Sequence, residues 1–169
     1  MLIVMAGLPG SGKSVLAAEL GRRLRAPVLS VDPVEAAMLR SGVDRSQPTG
    51  LAAYVVVEAV ADHTLRLGQT VVVDAVNDAP QARDQWSGLA ARHDVALRYV
   101  EVRCGDPRTH RERLERRLRD LPELPEPSWT SVEARRAALE SWDGERLVLD
   151  SREDVGALAE RVLDHLEAA

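Results

Sequence analysis

The chain has 169 residues, 45% of them apolar and 29% charged, with a net charge of −5 and no phenylalanine. That length suits one domain, residues 1–169, with a substantial core, and the acidic balance argues against nucleic acid as the main partner. The single cysteine, Cys104, excludes an intramolecular disulfide and suits a reducing cytoplasm, and no apolar stretch approaches the roughly 20 residues that span a membrane.

Residues 2–6 are a short apolar run and read as a strand buried on both faces. The run lacks a basic flank and leads straight into a glycine loop, so it does not read as a secretion signal. The loop, Gly7 to Ser14, matches G-x-x-x-x-G-K-[ST] in full. Of the 22 lysines and arginines, Lys13 is the only lysine. A compact ammonium on a flexible stem reaches β- and γ-phosphates as a point charge, which a planar guanidinium does less well. The glycines let successive backbone N–H groups turn inward as an anion nest, and a helix predicted over 14–24 adds the positive end of its dipole. Gly7, Pro9, Gly10, Ser11, Gly12, Lys13, Ser14 and Val15 are therefore the predicted nucleotide-binding residues. The Ser14 hydroxyl is placed to coordinate Mg²⁺.

The alternation continues. Strands are predicted over 27–31, 70–74, 97–102 and 146–149. Helices are predicted over 33–40, 51–67, 80–92, 106–121, 131–141 and 153–167. Gly42, Pro48 and Gly50 mark a loop over 41–50, and Pro122, Pro125 and Pro127 break the charged helix after the fourth strand. Strands alternating with helices imply an α/β fold, a parallel sheet with helices on both faces.

Ligands of such sheets bind beyond the carboxyl ends of the strands. Asp74 ends the strongest β pattern of the chain and is the second predicted Mg²⁺ ligand. Asp32 ends the second strand and precedes Pro33. It reads both as a helix N-cap and as the general base that accepts the proton of an attacking hydroxyl. Arg113 and Arg117 are four residues apart on one helix face, and two guanidiniums so placed can clamp transferring phosphates. Met38, Gln47, Tyr54, Asn77 and Arg83, with Asp32, are candidate acceptor-binding residues. Trp129 and Trp142 read as core or lid anchors, and Cys104 as a strand-end packing residue.

In their order, Gly7–Ser14, Asp32, Val71–Ala75, Arg113/Arg117 and Arg146–Ser151 resemble the small P-loop kinases. That group includes chloramphenicol phosphotransferase, gluconate kinase, zeta toxins and polynucleotide kinase. The resemblance implies a three-layer, nucleotide-kinase-like P-loop NTPase fold with a five-stranded parallel sheet of order 2-3-1-4-5. It implies ATP- and Mg²⁺-dependent transfer of a phosphoryl group to a hydroxyl of an antibiotic, sugar or metabolite. It also implies a substrate cap over residues 33–67, an arginine-bearing lid over 106–128, and an adenine-bordering loop at Asp150–Ser151. Polynucleotide kinases look for an arginine three residues after the aspartate, where this chain has Glu35. A polynucleotide 5′-hydroxyl kinase is the alternative, and it would need a basic, aromatic-lined groove. A P-loop ATPase or nucleotide-binding protein without kinase activity is the other. A guanine-reading Asn-Lys-x-Asp motif is ruled out because the only lysine is Lys13.

Overall fold

The computed structural model describes residues 1–116 and 121–168. The central strand β1 (Leu2–Ala6) is buried along its whole length. It is followed by α1 (Lys13–Leu24), β2 (Val28–Ser30), α2 (Val31–Arg40), α3 (Thr49–Arg66) and β3 (Val71–Asp74). Then come α4 (Pro80–His93), β4 (Leu97–Arg103), α5 (Pro107–Glu115), α6 (Trp129–Glu140), β5 (Leu147–Asp150) and α7 (Val155–Glu167). The five strands form one sheet of order β2-β3-β1-β4-β5, and every pairing is parallel. This is the fold and strand order expected from the sequence.

The two-residue period of the strands sorts the core into two layers. Leu2 and Val4 of β1, with Val71 and Val73 of β3, face α3 and α4 and pack on Ala53, Val57 and Trp86. Ile3, Met5 and Val72 point the other way, onto Leu16 and Leu20 of α1 and Leu158 and Val162 of α7. Full burial of each large aliphatic side chain contributes about 1.5–3 kcal/mol. A third cluster, with Ala6, Leu8, Leu114, Val132 and Trp142, fastens α5 and α6 over the carboxyl end of the sheet.

Several boundaries differ from the predicted ones. β2 stops at Ser30, and α2 begins at Val31, two residues early. Ser30 is extended, with φ −99° and ψ 130°, and occupies the N-cap position. Asp32 therefore lies inside the first turn of α2 and is not its N-cap. Pro33 still falls in that turn, where its fixed φ suits a helix and its missing N–H costs nothing. α3 likewise starts early, at Thr49. Its Ala53, Val57, Ala61 and Leu65 are core residues, so it is a layer helix as well as part of the 33–67 segment. α5 runs from Pro107 to Glu115, with Arg116 at its C-cap; of the predicted 106–121 helix, residues 117–120 lie outside the described residues and Leu121 is not helical. No helix among the described residues is long and apolar enough to cross a membrane.

Candidate active site

β1 delivers the chain into the glycine loop at the carboxyl edge of the sheet. Gly7 has φ +140°, and a Cβ there would lie 2.3 Å from the Val102 carbonyl oxygen on β4. Gly12, with φ +94°, caps α1 in the left-handed region and gives it no side-chain cap. The first turn of α1 contains no acidic residue. Its leading N–H groups and dipole thus point at the loop without a competing carboxylate, which suits an anion. Lys13 opens the helix and is buried. Ser14 and Val15 follow at the exposed surface.

The loop is braced from α5. His110, 1% exposed, places Nε2 2.8 Å from the Pro9 carbonyl oxygen. A carbonyl only accepts, so Nε2 carries the proton, and Nδ1 faces Arg136 Nη2 at 3.5 Å. Burial pushes the imidazole pKa below its ordinary value, outweighing the raising effect of the Pro9 hydrogen bond, and keeps the ring neutral. The ring also meets Trp129 edge-on, with centroids 5.3 Å apart.

A cleft of about 370 Å³ opens beside the loop, lined by Gly10, Lys13, Val15, Arg113, Ser151 and Leu158. Arg113 donates from Nη1 to Ser151 Oγ at 2.7 Å and from Nη2 to the Ser151 carbonyl at 3.2 Å. It thus joins α5 to the β5–α7 loop, and both residues line the cleft. Just behind, the Arg152 guanidinium and the amides of Arg152 and Gly105 hold the Asp150 carboxyl pKa at about 2. Arg117, predicted to partner Arg113, lies outside the described residues.

Asp74 ends β3 level with Met5 of β1, at the same end of the sheet as the loop. Its Oδ2 accepts from Ser30 Oγ at 3.1 Å, while its buried Oδ1 has no hydrogen-bond partner among the described residues. A buried carboxylate oxygen without a donor is what a cation, or a water bound to one, would satisfy. The donors here fit Mg²⁺, which takes few protein ligands alongside substrate phosphates. Ser14 and Asp74 are the residues that would hold it.

The opposite flank of the loop borders a second cavity of about 180 Å³. Pro9, Asp32, Glu35, Val76 and Arg135 lie in its walls. Arg135 of α6 grips Asp78 in a two-pronged ion pair, Nε–Oδ2 2.5 Å and Nη2–Oδ1 2.8 Å. Burial alone would raise the Asp78 pKa, but the hydrogen bonding and charge of Arg135, together with the Asp78 and Ala79 backbone amides, outweigh it and hold the carboxyl below its usual range.

The other predicted acceptor residues are spread out. Tyr54 accepts from the Asn77 amide N–H at 3.3 Å, and burial pushes its phenol up to about 12. Asn77 is fully buried with φ +52°. Its amide donates to the Met5 carbonyl at 2.7 Å and accepts from Trp86 Nε1 at 2.9 Å, so both ends are engaged in holding the β3–α4 loop. Arg83 Nη1 donates to the Asn77 and Asp78 carbonyls, and its guanidinium lies 4.7 Å from the centroid of the Trp142 ring. Trp142 is buried and Trp129 packs against the same cluster, in keeping with anchors. Met38 packs against the core, and Gln47 sits in the exposed 41–48 loop. Of the set, only Asp32 lines the second cavity.

Arg135 and His110 are functional candidates that the sequence does not single out. His110 carries a weak signal, the four-residue spacing to the buried Leu114. Arg135 carries none, because only the fold brings α6 against the β3–α4 loop.

Residues 2–139 match the family model described as an AAA domain. No curated protein matches the chain in sequence. Among solved structures, a candidate kinase from Chloroflexus aurantiacus superposes with a TM-score of 0.78 at 21% identity, over 97% of each chain. The Mycobacterium tuberculosis APS kinase in complex with AMPPNP and APS gives 0.71 at 20% identity, over 98% of this chain and 96% of that one. A gluconokinase from Sinorhizobium meliloti gives 0.69 at 18%, over 98% and 91%. These likenesses establish the fold. With the family match over most of its length, the chain belongs to the AAA domain family and has the fold of the P-loop kinase-like group.

Proposed function

We propose that this protein is an ATP- and Mg²⁺-dependent phosphotransferase that moves the γ-phosphate to a hydroxyl of a small molecule. One observation carries the reading: the glycine loop walls both the cleft beside Lys13 and the cavity that Asp32 lines. Gly10 and Lys13 line the larger, while Pro9 lines the smaller together with Asp32. A nucleotide switch or simple ATPase needs the first cavity only. A kinase needs a second, with a proton acceptor beside it.

In this reading the loop amides and Lys13 hold the β- and γ-phosphates. Ser14 and Asp74 would hold Mg²⁺, which would supply charge neutralisation at the phosphates. The acceptor hydroxyl enters from the second cavity and gives its proton to Asp32. Its oxygen bonds to the γ-phosphorus as the bond to the β–γ bridging oxygen breaks, and ADP leaves. Arg113, released from Ser151, and Arg117 are the cations that close over the phosphates and exclude water. A reducing cytoplasm, where ATP is supplied, is the setting this reading calls for.

The test is nucleotide binding by calorimetry alongside acceptor-dependent ADP release. Lys13→Ala abolishes transfer with the fold intact. Asp32→Asn keeps MgATP binding and lowers transfer about 10²-fold, the usual contribution of a general base. Near-normal turnover of Lys13→Ala refutes the proposal. An Asp32→Asn enzyme altered only in melting temperature assigns Asp32 to the fold alone.

A further inference from the structure

The outward face of α3 is apolar along the middle of the helix. A solvent-facing helix position ordinarily carries a polar residue or a strong helix former. Here Val55, Val56 and Val60 are 54%, 42% and 46% exposed, with Ala59 exposed among them and Leu51 and Leu67 exposed at the two ends. β-branched side chains on a helix surface lower its propensity and gain nothing from water. The charged residues of this stretch, Glu58 and Asp62, lie to one side and pair with α4, Glu58 with Arg92 and Asp62 with His93. The inward residues Ala53, Val57, Ala61 and Leu65 are already packed in the core. An apolar centre with charges drawn to its edge is the anatomy of an interface, and contiguous apolar patches of this kind mark interaction sites.

The face also maps onto itself. α3 spans Thr49–Arg66, so its midpoint falls between Val57 and Glu58. Val55 and Val60 are equidistant from that midpoint, and so are Val56 and Ala59, and Ala52 and His63. In an antiparallel pair with a two-fold axis at the midpoint, Val55 meets Val60 of the second copy, and Val56 meets its Ala59. The two helix dipoles then oppose each other. With 18 residues, α3 is about 27 Å long and about 10 Å wide, so the face is about 270 Å² in projection. Specific interfaces bury about 800 Å² per partner, so this face supplies the apolar centre of a small one, which fits reversible pairing in the micromolar range. We infer that α3 is a self-association surface, through which two copies of this chain pair antiparallel about that axis. A two-fold contact closes on itself, so the product is a dimer and not a filament.

Sedimentation equilibrium of the whole chain, read from micromolar to submillimolar concentration, is expected to show one monomer–dimer equilibrium. Val55→Glu and Val60→Arg each set a charge against an apolar side chain of the second copy. Each alone is expected to weaken association at least about tenfold, as an unpaired charge in an interface does. Mixed in equal amounts, the two variants are expected to recover the dimer, because the introduced carboxylate then faces the introduced guanidinium across the axis. Both positions are exposed in the single chain, so far-UV circular dichroism and melting temperature are expected to match the wild type. A wild type that stays monomeric at every concentration overturns the inference and leaves the face to a different occupant. It is equally overturned if either variant associates as the wild type does, if the mixture fails to recover the dimer, or if association runs on past the dimer.

Discussion

Removing the guanidinium that spans the second cavity is the sharpest test of how this site is held. Arg135 meets Asp78 through two charge-assisted hydrogen bonds of 2.5 and 2.8 Å, with side chains 39% and 15% exposed. A fully buried charged hydrogen bond contributes about 1.5–3 kcal/mol. The arginine end is well over a third in water, so screening reduces the pair to about 2 kcal/mol in all, roughly 30-fold in the folding equilibrium. Arg135→Met alone should cost somewhat more, because it strands a largely buried carboxylate. Asp78→Asn combined with Arg135→Met should cost less than the two singles added together. Urea unfolding followed by tryptophan fluorescence supplies the four stabilities of the cycle. The sign with pH is determined. Asp78 titrates lower folded than unfolded, so its contribution is present above the ordinary carboxylate pKa of about 3.9 and is lost as the pH falls through the folded value. A coupling below about 0.5 kcal/mol at pH 7, or one that persists unchanged in strong acid, refutes the reasoning.

Gly7→Ala places a Cβ 2.3 Å from a backbone carbonyl that cannot swing away, at φ +140°. A loss of about 3 kcal/mol, roughly 10 °C in Tm, is expected. Gly42→Ala, also at positive φ but with open space around it, should lose only about 1 kcal/mol. Equal melting losses for the two would exclude the clash. His110 is buried neutral with a lowered pKa, so the unfolded chain binds its proton more readily. Stability should rise with pH between the folded value and about 6.5, and His110→Gln, which can still donate to Pro9, should remove that slope. If the His110→Gln variant and the wild type give superimposable pH–stability curves, the slope belongs to another group.

Much of the phosphate loop and its surroundings was legible because its information is local. Gly7, Gly12, Lys13 and Ser14 are consecutive or nearly so, and the short strand before them and helix after them are set by neighbouring residues. Asp74 was legible for the same reason: four apolar β residues announce a buried strand and mark where it emerges. Asp32 was legible too, but its setting was not. Ser30, with no strong signal, takes the N-cap, and Asp32 moves into the first turn of α2. Asn77 stands out in the sequence for being polar just past a strand end, and Arg83 for being a cation early in the next predicted helix. In the fold their polar atoms meet the Met5 carbonyl, the Trp86 indole and two loop carbonyls.

The sequence alone determined the phosphate loop, the strand order suggested by its resemblance, and the alternation that builds a parallel sheet. Those follow from contacts between residues close in the chain and from periodicities of two and 3.6. Only the tertiary structure decided which residues meet at the smaller cavity. Glu35 from α2, Pro9 from the loop and Arg135 from α6 come together from distant parts of the chain. No local pattern marks such a meeting, because each side chain's partner is set by how the helices pack on the sheet.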